Sequence, residues 1–267
     1  AFIEAGGSVL EPERFYRNNV AGTLALLRVM HANGVRRLVF SSSAAIYGDP
    51  HTAPIREVHP VRPCNPYGRS KLMVEDVIAD ISHATGLEYA ALRYFNAAGA
   101  DPDGELSENH APETHLVPLV IETALGIHPR FTVFGDDYAT EDGTCVRDFV
   151  HVCDLADAHV AALRHLIGGG ENVVANLGSG SGVSVRQVVE AVERVTGRRV
   201  PVAFGSRRPG DPAVLVADAS LARSTLGWQP RSSELDLIVR HALDSMPLRS
   251  SNLARRSRPV ELEAIPA

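Results

Sequence analysis

Hydrophobic residues along this chain follow two spacings, one typical of helices and one typical of buried strands. Glu13–Asn33 and Pro66–Thr85 carry apolar residues at helical spacing, and a glycine follows each segment. Arg37–Ser42 and Tyr89–Tyr94 contain short apolar runs that suit buried parallel strands. This alternation of strand and helix predicts an α/β fold with a doubly wound parallel sheet.

The second half continues the alternation after a polar loop that ends near His115. The predicted helices are Val117–Leu125, Val152–Leu166 and Val185–Thr196, and the predicted strands are Phe131–Phe134, Val173–Leu177 and short ones near Val202 and at Val214–Val216, with short helices after them. The run Gly178–Gly182 is predicted to be a flexible loop. Residues 247–267 are polar and arginine-rich, which predicts a flexible tail.

The composition is that of an ordinary globular protein, with 45% hydrophobic and 22% charged residues. A net charge of −6 argues against a surface for nucleic acid or anionic membrane. The apolar runs stay short of the roughly 20 residues that a membrane span needs. Cys64, Cys145 and Cys153 lack CxxC spacing, which favours reduced thiols in a cytoplasmic protein. We expect no metal site.

Lys71 is the single lysine among 26 Lys and Arg residues. Most exposed basic positions accept either lysine or arginine. A lone lysine in an arginine-rich chain therefore indicates a position where a guanidinium cannot replace the amine. Tyr67 precedes it by four residues in a predicted helix, which places both side chains on one face. An ammonium group beside a phenol is expected to stabilise the phenolate and lower the phenol pKa from about 10. The pair is therefore a candidate general base.

Three serines, Ser41–Ser43, close the predicted strand that precedes this helix. Ligands of an open α/β sheet bind at the carboxyl ends of the strands. Ser43 is therefore placed to hydrogen-bond a substrate hydroxyl while that hydroxyl loses its proton. A serine-rich turn also satisfies its own backbone, and it is the combination with Tyr67 and Lys71 that favours a catalytic role.

Ser43 followed by Tyr67-x-x-x-Lys71 resembles the short-chain dehydrogenase/reductase superfamily, in the extended branch that modifies sugar nucleotides. Further strings resemble the UDP-glucose 4-epimerase family within that branch. These strings are Asn18–Val20, Ser41–Ala44, Tyr67–Lys71, Arg93–Asn96, Asp142–Asp148, His151–Val152 and Asp154–Ala156. The resemblance runs from Ala1 to about Trp228 and implies a Rossmann-type fold, with residues 1–97 in the NAD-binding domain and 98–246 mainly in a UDP-sugar-binding region.

The resemblance implies an NAD-dependent isomerase that interconverts UDP-glucose and UDP-galactose through a 4-keto intermediate. Tyr67 would take the proton from the sugar O4, Ser43 would steady O4, and Lys71 would also bind the nicotinamide ribose. The full set of implied NAD contacts is Asn18, Ser41, Tyr67, Lys71 and Tyr94. A homodimer through Glu13–Asn33 and Pro66–Thr85, packed as a four-helix bundle, is also implied.

The resemblance places the UDP-sugar in the second half of the chain. Arg147 and Arg208 would pair with the diphosphate, because a planar guanidinium donates two parallel hydrogen bonds. Asp211 would accept from a ribose hydroxyl, and Leu215 would bound the space near the sugar's 2-position. The other implied contacts are Ser43, Asn96, His115, Leu116, Thr132, Val133 and Phe134. Position 115 departs from the family's usual asparagine, and His115 is still expected to hydrogen-bond a sugar hydroxyl or phosphate.

Other activities of this branch are weighed at the same positions. Dehydration is disfavoured, because Ala44 and Ala45 stand where dehydrating relatives carry an acidic pair and can neither donate nor accept a proton. A different UDP-sugar, with an N-acetylhexosamine or a pentose, stays open. A non-catalytic nucleotide-sugar-binding protein also stays open, although it has no need of a tuned phenol. The preference for NAD over NADP rests on the resemblance alone.

The Gly-rich turn that holds the pyrophosphate of a dinucleotide is absent from the sequence given. If the resemblance holds, the chain begins after the fourth strand of the fold, and roughly 80 residues precede it in relatives. We therefore expect the chain as given to be inactive or poorly soluble unless it is completed.

Overall fold

The computed structural model describes residues 1–50, 52–108, 110, 112–208 and 211–246, so the predicted tail 247–267 lies outside the described residues. The first part of the chain runs through α1 (Ala5–Leu10), α2 (Pro12–Phe15), a π-helical turn (Tyr16–Ala21), α3 (Gly22–Ala32), β1 (Arg37–Ser41), a 3₁₀ turn (Ala44–Tyr47), α4 (Pro66–Thr85) and β2 (Glu88–Tyr94). The predicted single helix over 13–33 is therefore interrupted by a π-helical turn.

The second part begins with β3 (Asn96–Ala98), α5 (Leu116–Ala124), β4 (Phe131–Phe134), β5 (Val146–His151), α6 (Val152–Ile167) and β6 (Val173–Leu177). It ends with β7 (Gly182–Ser184), α7 (Val185–Thr196), β8 (Val202–Gly205), β9 (Val214–Leu215), α8 (Ser220–Leu226) and α9 (Leu235–Asp244). The predicted bounds of β4, β6 and α7 are confirmed. No helix in the described ranges is both long enough and apolar enough to cross a membrane.

Helix α4 carries its own start and stop signals. The Asn65 side chain accepts a hydrogen bond from the Gly68 N–H at 2.9 Å, and Pro66 occupies the first helical position. Gly86 ends the helix at φ 72°, a left-handed conformation that favours glycine. These signals fix the first turn of α4, where Tyr67 lies.

A parallel sheet in the order β1-β2-β6 forms the base of the fold. Its core is made of apolar residues from β2, β6 and α6, including Leu92, Ala158 and Leu177. Strand β5 is the hub of the second region, since it pairs with β3, β7 and β9. The carboxyl ends of β1 and β2 therefore face the segments that β5 arranges.

Strand β5 is absent from the prediction because charged residues lie inside it. Arg147 is 9% exposed and Asp148 is fully buried. The Asp148 carboxylate accepts from the Ser179 N–H at 2.7 Å, the Gly180 N–H at 3.0 Å and the Ala217 N–H at 3.1 Å. These bonds replace the water that a buried carboxylate loses. They also tie β5 to the loop that was predicted over Gly178–Gly182, which lies between β6 and β7 and ends where β7 begins at Gly182.

A buried ion pair joins α4 to β2. Glu75 accepts from the Arg93 guanidinium, with Nη2 at 2.6 Å from Oε2 and Nε at 3.1 Å from Oε1. The Ser42 hydroxyl donates to Glu75 as well, and Arg93 donates to the Tyr47 hydroxyl at 3.0 Å. Each partner in this network therefore has its polar atoms engaged out of water, which is the condition under which a buried pair is tolerated.

We expect Arg93→Met to lower the free energy of unfolding by about 3–5 kcal/mol, because it leaves the Glu75 carboxylate buried without its counter-charge. The measurement is urea unfolding, read as a lower midpoint at unchanged slope. The matched control is Arg37→Met, which breaks an Arg–Glu pair with Glu88 whose side chains are 43% and 40% exposed. That control should cost at most about 1 kcal/mol, and equal losses in the two variants would contradict the prediction.

Candidate active site

A cleft of about 740 Å³ opens at the carboxyl ends of β1 and β2. Five of the predicted site residues line it, namely Ser43, Tyr67, Tyr94, Asn96 and His115. They come from the end of β1, the start of α4, the β2–β3 junction and the loop before α5. The fold therefore brings together residues that lie up to 72 positions apart in the chain (115 − 43).

Tyr67 and Ser43 both line this cleft. Tyr67 is 9% exposed; burial raises the pKa of its phenol, and Ser43 acts on that pKa in the opposite direction. Ser43 has an extended backbone and caps the 3₁₀ turn, with its Oγ accepting from the Ala45 N–H at 3.2 Å. A bound hydroxyl that reached both oxygens could exchange its proton with the phenol.

Lys71 lies one helical turn after Tyr67 and is 4% exposed. Its Nζ donates to the Ser41 carbonyl at 2.8 Å and is 5.9 Å from the centroid of the Tyr67 ring. Burial lowers the pKa of Lys71 to about 8, against the opposing attraction of Glu75. Burial also raises the pKa of Tyr67 to about 12, with the Ser43 hydrogen bond acting in the opposite direction.

The expectation that Lys71 lowers the phenol pKa is therefore wrong for the chain by itself. The two groups share a desolvated site, and burial penalises both the phenolate and the ammonium. For Tyr67 this penalty outweighs the attractions that the chain supplies. With a pKa of about 12, the phenol of the chain by itself is protonated at neutral pH.

The predicted cofactor residues Ser41 and Tyr94 form a second polar group beside Lys71. The Ser41 Oγ is 2.8 Å from Nε2 of His159. Burial raises the pKa of the Tyr94 phenol, and Ser41 acts on that pKa in the opposite direction. His159 was missed by the sequence reasoning, because it lies on α6 outside the string Asp154–Ala156. Asn18 is exposed on the π-helical turn, where its amide donates to Asn19 at 3.0 Å, and it is not among the residues that line the cleft.

Predicted UDP contacts from β4, β5 and the segment before β9 meet in a second group. Arg147 and Asp211 form an ion pair with Nη2 at 2.5 Å from Oδ1. The Arg208 guanidinium stacks on the Phe134 ring, 4.1 Å from its centroid, and the Arg208 carbonyl accepts from the Asp211 N–H at 3.2 Å. The structure thus pairs Arg147 with Asp211, two groups that were assigned to different parts of the nucleotide.

Tyr138 joins this second group and was not predicted. Among the described residues, its hydroxyl is the buried side-chain polar atom without a hydrogen-bond partner. It interacts electrostatically with Asp211 and Arg147. An unsatisfied buried hydroxyl is costly, so a ligand atom at this position would complete the site. The sequence offers no spacing signal that singles out this tyrosine.

The remaining predicted contacts differ in what they can offer a ligand. Val133 packs its side chain into a core with Tyr138 and Cys145, so only its backbone can face a ligand. Thr132 is half-buried and Leu116 begins α5. Leu215 packs against the buried cluster that contains Ala44 and Phe95, next to the Ser43 end of the cleft.

His115 is held by two carboxylates that were also not predicted. Its Nδ1 is 2.8 Å from Oε1 of Glu108 and 2.8 Å from Oε1 of Glu113. These hydrogen bonds raise the pKa of His115 to about 10. The pKa of Glu113 falls to about 2, because bonds from His115 and from the Thr114 N–H outweigh its burial. His110 lies beside this group, with Nε2 at 3.1 Å from Oε1 of Glu108.

Comparisons with known proteins identify the family of the chain. The model of the NAD dependent epimerase/dehydratase family matches residues 4–178. The chain is 49% identical to the UDP-glucose 4-epimerase of Halalkalibacterium halodurans over 237 residues, which cover 89% of this chain and 71% of that protein. It is 50% identical to the UDP-glucose 4-epimerase of Rhizobium leguminosarum bv. trifolii over 244 residues, covering 91% of this chain and 74% of that protein.

Solved structures give the same result. The UDP-glucose 4-epimerase of Brucella ovis, in complex with NAD, superposes with a TM-score of 0.89 at 50% identity over 91% of this chain and 75% of that chain. The enzyme of Bifidobacterium longum, in complex with NAD+ and UDP, gives 0.87 at 40% identity over 94% of this chain and 75% of that chain. The chain therefore belongs to the NAD dependent epimerase/dehydratase family, within its UDP-glucose 4-epimerase branch.

Proposed function

We propose that this protein interconverts UDP-glucose and UDP-galactose by transient oxidation at C4, with Tyr67 as the group that takes and returns the O4 proton. The observation that carries the proposal is the buried Tyr67 phenol in the wall of the cleft, with buried Ser43 in the same wall and the Lys71 amine 5.9 Å from the centroid of the phenol ring. Two solved relatives hold NAD, and one of them holds UDP as well.

Ser41, Lys71 and Tyr94 fit the nicotinamide end of NAD. A hydroxyl pair and an ammonium converge beside the cleft, and such donors suit the hydroxyls of a ribose. When bound in its oxidised form, NAD would supply a nicotinamide ring that accepts the hydride from the sugar C4. It would also add a positive charge to that of Lys71. Asn18 is proposed as a further contact on the basis of the family resemblance.

The buried phenol and amine define how the chain moves the proton. Tyr67 is neutral in the chain alone, since burial raises its pKa to about 12. A positive charge next to the phenol would lower that pKa and let Tyr67 accept the O4 proton. Ser43 would keep O4 within reach, and Tyr67 would return the proton after the keto sugar has presented its other face. Under this proposal, Tyr67 keeps the O4 proton while the keto sugar turns.

The second group is proposed to hold the UDP moiety. Arg147 and Arg208 bring two guanidinium groups to one edge of the site, and Phe134 offers an exposed ring face. The Tyr138 hydroxyl is buried there without a partner among the described residues. Two guanidinium forks suit the oxygens of a diphosphate, and Asp211 suits a ribose hydroxyl once Arg147 has moved to the phosphate.

We further propose a homodimer through α3 and α4. Leu24 on α3 is 44% exposed and Met73 on α4 is 40% exposed. Together with Val20 and Tyr16 they line an apolar groove of about 700 Å³. Apolar surface of this kind on two neighbouring helices is well suited to packing against the same helices of a second copy.

We expect Tyr67→Phe to lower kcat by at least about 10²-fold, because the O4 proton then has no acceptor. UDP binding should stay unchanged, since the nucleotide contacts lie elsewhere. Activity is measured as conversion of UDP-galactose to UDP-glucose by the full-length gene product with NAD added. Tyr89→Phe, outside the cleft, is the matched control. Near-normal turnover by Tyr67→Phe would remove this residue from its proposed role.

A second prediction concerns pH and Lys71. Its pKa of about 8 in the folded chain lies below the ordinary value of 10.5. The unfolded state therefore binds more protons between these two pH values, and the free energy of unfolding should rise with pH across that window. The rise attributable to Lys71 should reach at most about 3 kcal/mol.

Chemical denaturation of the wild type and of Lys71→Met at several pH values tests this prediction. The difference between the two should grow from pH 8 to 10.5 in favour of the wild type. Lys71 is the chain's only lysine, so no other lysine contributes. A constant difference would show that the amine is not desolvated.

For the homodimer, we expect Met73→Glu to convert the protein to monomers, because it places a charge in an apolar interface. The mass in solution is measured by analytical ultracentrifugation. Ile127→Glu, which changes an apolar residue that is 62% exposed elsewhere, should leave the dimer intact. A monomeric wild type, or a dimeric Met73→Glu variant, would refute the proposed interface.

A further inference from the structure

The loop between β3 and α5 gathers three metal-ligating side chains in the wall of the cleft. One carboxylate and two imidazoles meet there, from Glu108, His110 and His115. Their candidate ligand atoms all lie within 4.8 Å of one another. The side chains of the three are 27–36% exposed, so solvent reaches the cluster.

Two of the separations in this cluster are near those of a metal's ligand shell. Oε1 of Glu108 is 3.1 Å from Nε2 of His110 and 2.8 Å from Nδ1 of His115. Ligands bound tetrahedrally at roughly 2.0–2.1 Å lie about 3.3 Å apart, so both separations are close to that edge length. The two imidazole rings are 4.9 Å apart between centroids and tilted by 54°, so they do not stack face to face.

The charges in the cluster also favour a cation. Glu113 brings a second carboxylate, with Oε1 2.8 Å from the same Nδ1 of His115. Among the described residues, the ion pairs of Glu108 are with His110 and His115. A metal ion can replace the imidazole protons in these pairs. Two carboxylates and two imidazoles can therefore exchange a shared proton for a divalent ion.

We propose that Glu108, His110 and His115 form a binding site for a divalent transition-metal ion, for which Zn²⁺ is the best match. Two histidines and one glutamate are a ligand set that Zn²⁺ uses when a fourth position is open. Here the fourth position is taken by Glu113 or by a water from the cleft. The ion ties the β3–α5 loop to the first turn of α5, since His115 is the N-cap residue of that helix. The expectation of no metal site is replaced by this proposal.

The test is a Zn²⁺ titration of the purified protein after treatment with a chelator, followed by calorimetry. The wild type should bind one equivalent and melt at a higher temperature with Zn²⁺ than without it. Co²⁺ in place of Zn²⁺ should give the visible absorption of a four-coordinate ion. Binding of less than one equivalent, or an unchanged melting temperature, would overturn the site.

Variants distinguish this site from adventitious binding. His110→Ala and Glu108→Gln should each weaken Zn²⁺ binding by at least about tenfold, because each removes a direct ligand. The matched control is His128→Ala, since His128 lies 3.1 Å from a single carboxylate, that of Glu122, outside the cleft. If the control weakens binding as much as His110→Ala, or if His110→Ala binds like the wild type, the ion is adventitious.

The site and the proposed reaction are tested independently. Tyr67→Phe should bind Zn²⁺ with the affinity of the wild type, because its phenol is not part of the cluster. The melting temperature of each variant without metal shows whether it is folded. Loss of Zn²⁺ binding in a variant that melts like the metal-free wild type therefore reports on the ligands themselves.

Discussion

The buried contact between Glu75 and Arg93 is the interaction on which the candidate active site depends. Glu75 lies one helical turn after Lys71, and Arg93 lies directly before Tyr94 in β2. The Ser42 hydroxyl donates to the same carboxylate, immediately before Ser43. One carboxylate therefore ties together α4, β2 and the end of β1, the three segments that carry the candidate catalytic residues. Because burying these charges is costly unless every partner is engaged, the network tolerates little displacement of any of the three.

Burial also sets the protonation of the central pair. Removing a phenol and an amine from water disfavours their charged forms, so Tyr67 and Lys71 move toward neutrality from opposite directions. With pKa values of about 12 and about 8, the pair at neutral pH is a neutral phenol beside an amine that is still mostly protonated. Under the proposed function, the Tyr67 phenolate then forms only when a cationic ligand is present. In the chain alone the phenol stays protonated.

In the second region, strand β5 carries the buried charged residues that tie neighbouring segments together. Its two adjacent charged residues serve opposite sides of the strand, as alternation requires. Arg147 pairs with Asp211 at the proposed nucleotide end, while Asp148 accepts from backbone N–H groups of the turn after β6. One strand thus positions the arginine that is proposed to bind the diphosphate and fixes the loop that leads into β7. In the β3–α5 loop, the histidines and glutamates are joined to one another by ion pairs.

The sequence by itself determined the elements whose signals are local. Hydrophobic spacing, Pro66 and the glycine after Thr85 gave α4, and a four-residue spacing put Tyr67 and Lys71 on one helical face. Short-range patterns of this kind depend on backbone geometry that each segment carries with it. Strand β5 escaped prediction, because its buried charges are stable only beside partners that lie 31 and 64 residues away in the chain.

The tertiary structure alone decided which distant side chains meet and how far each is removed from water. The Ser41–His159 contact, the unpartnered Tyr138 hydroxyl and the cluster around His115 have no common spacing that could reveal them. The direction of the Tyr67 pKa shift belongs to the same class. A nearby ammonium predicts a fall, and desolvation, which exists only once the chain has folded, produces a rise.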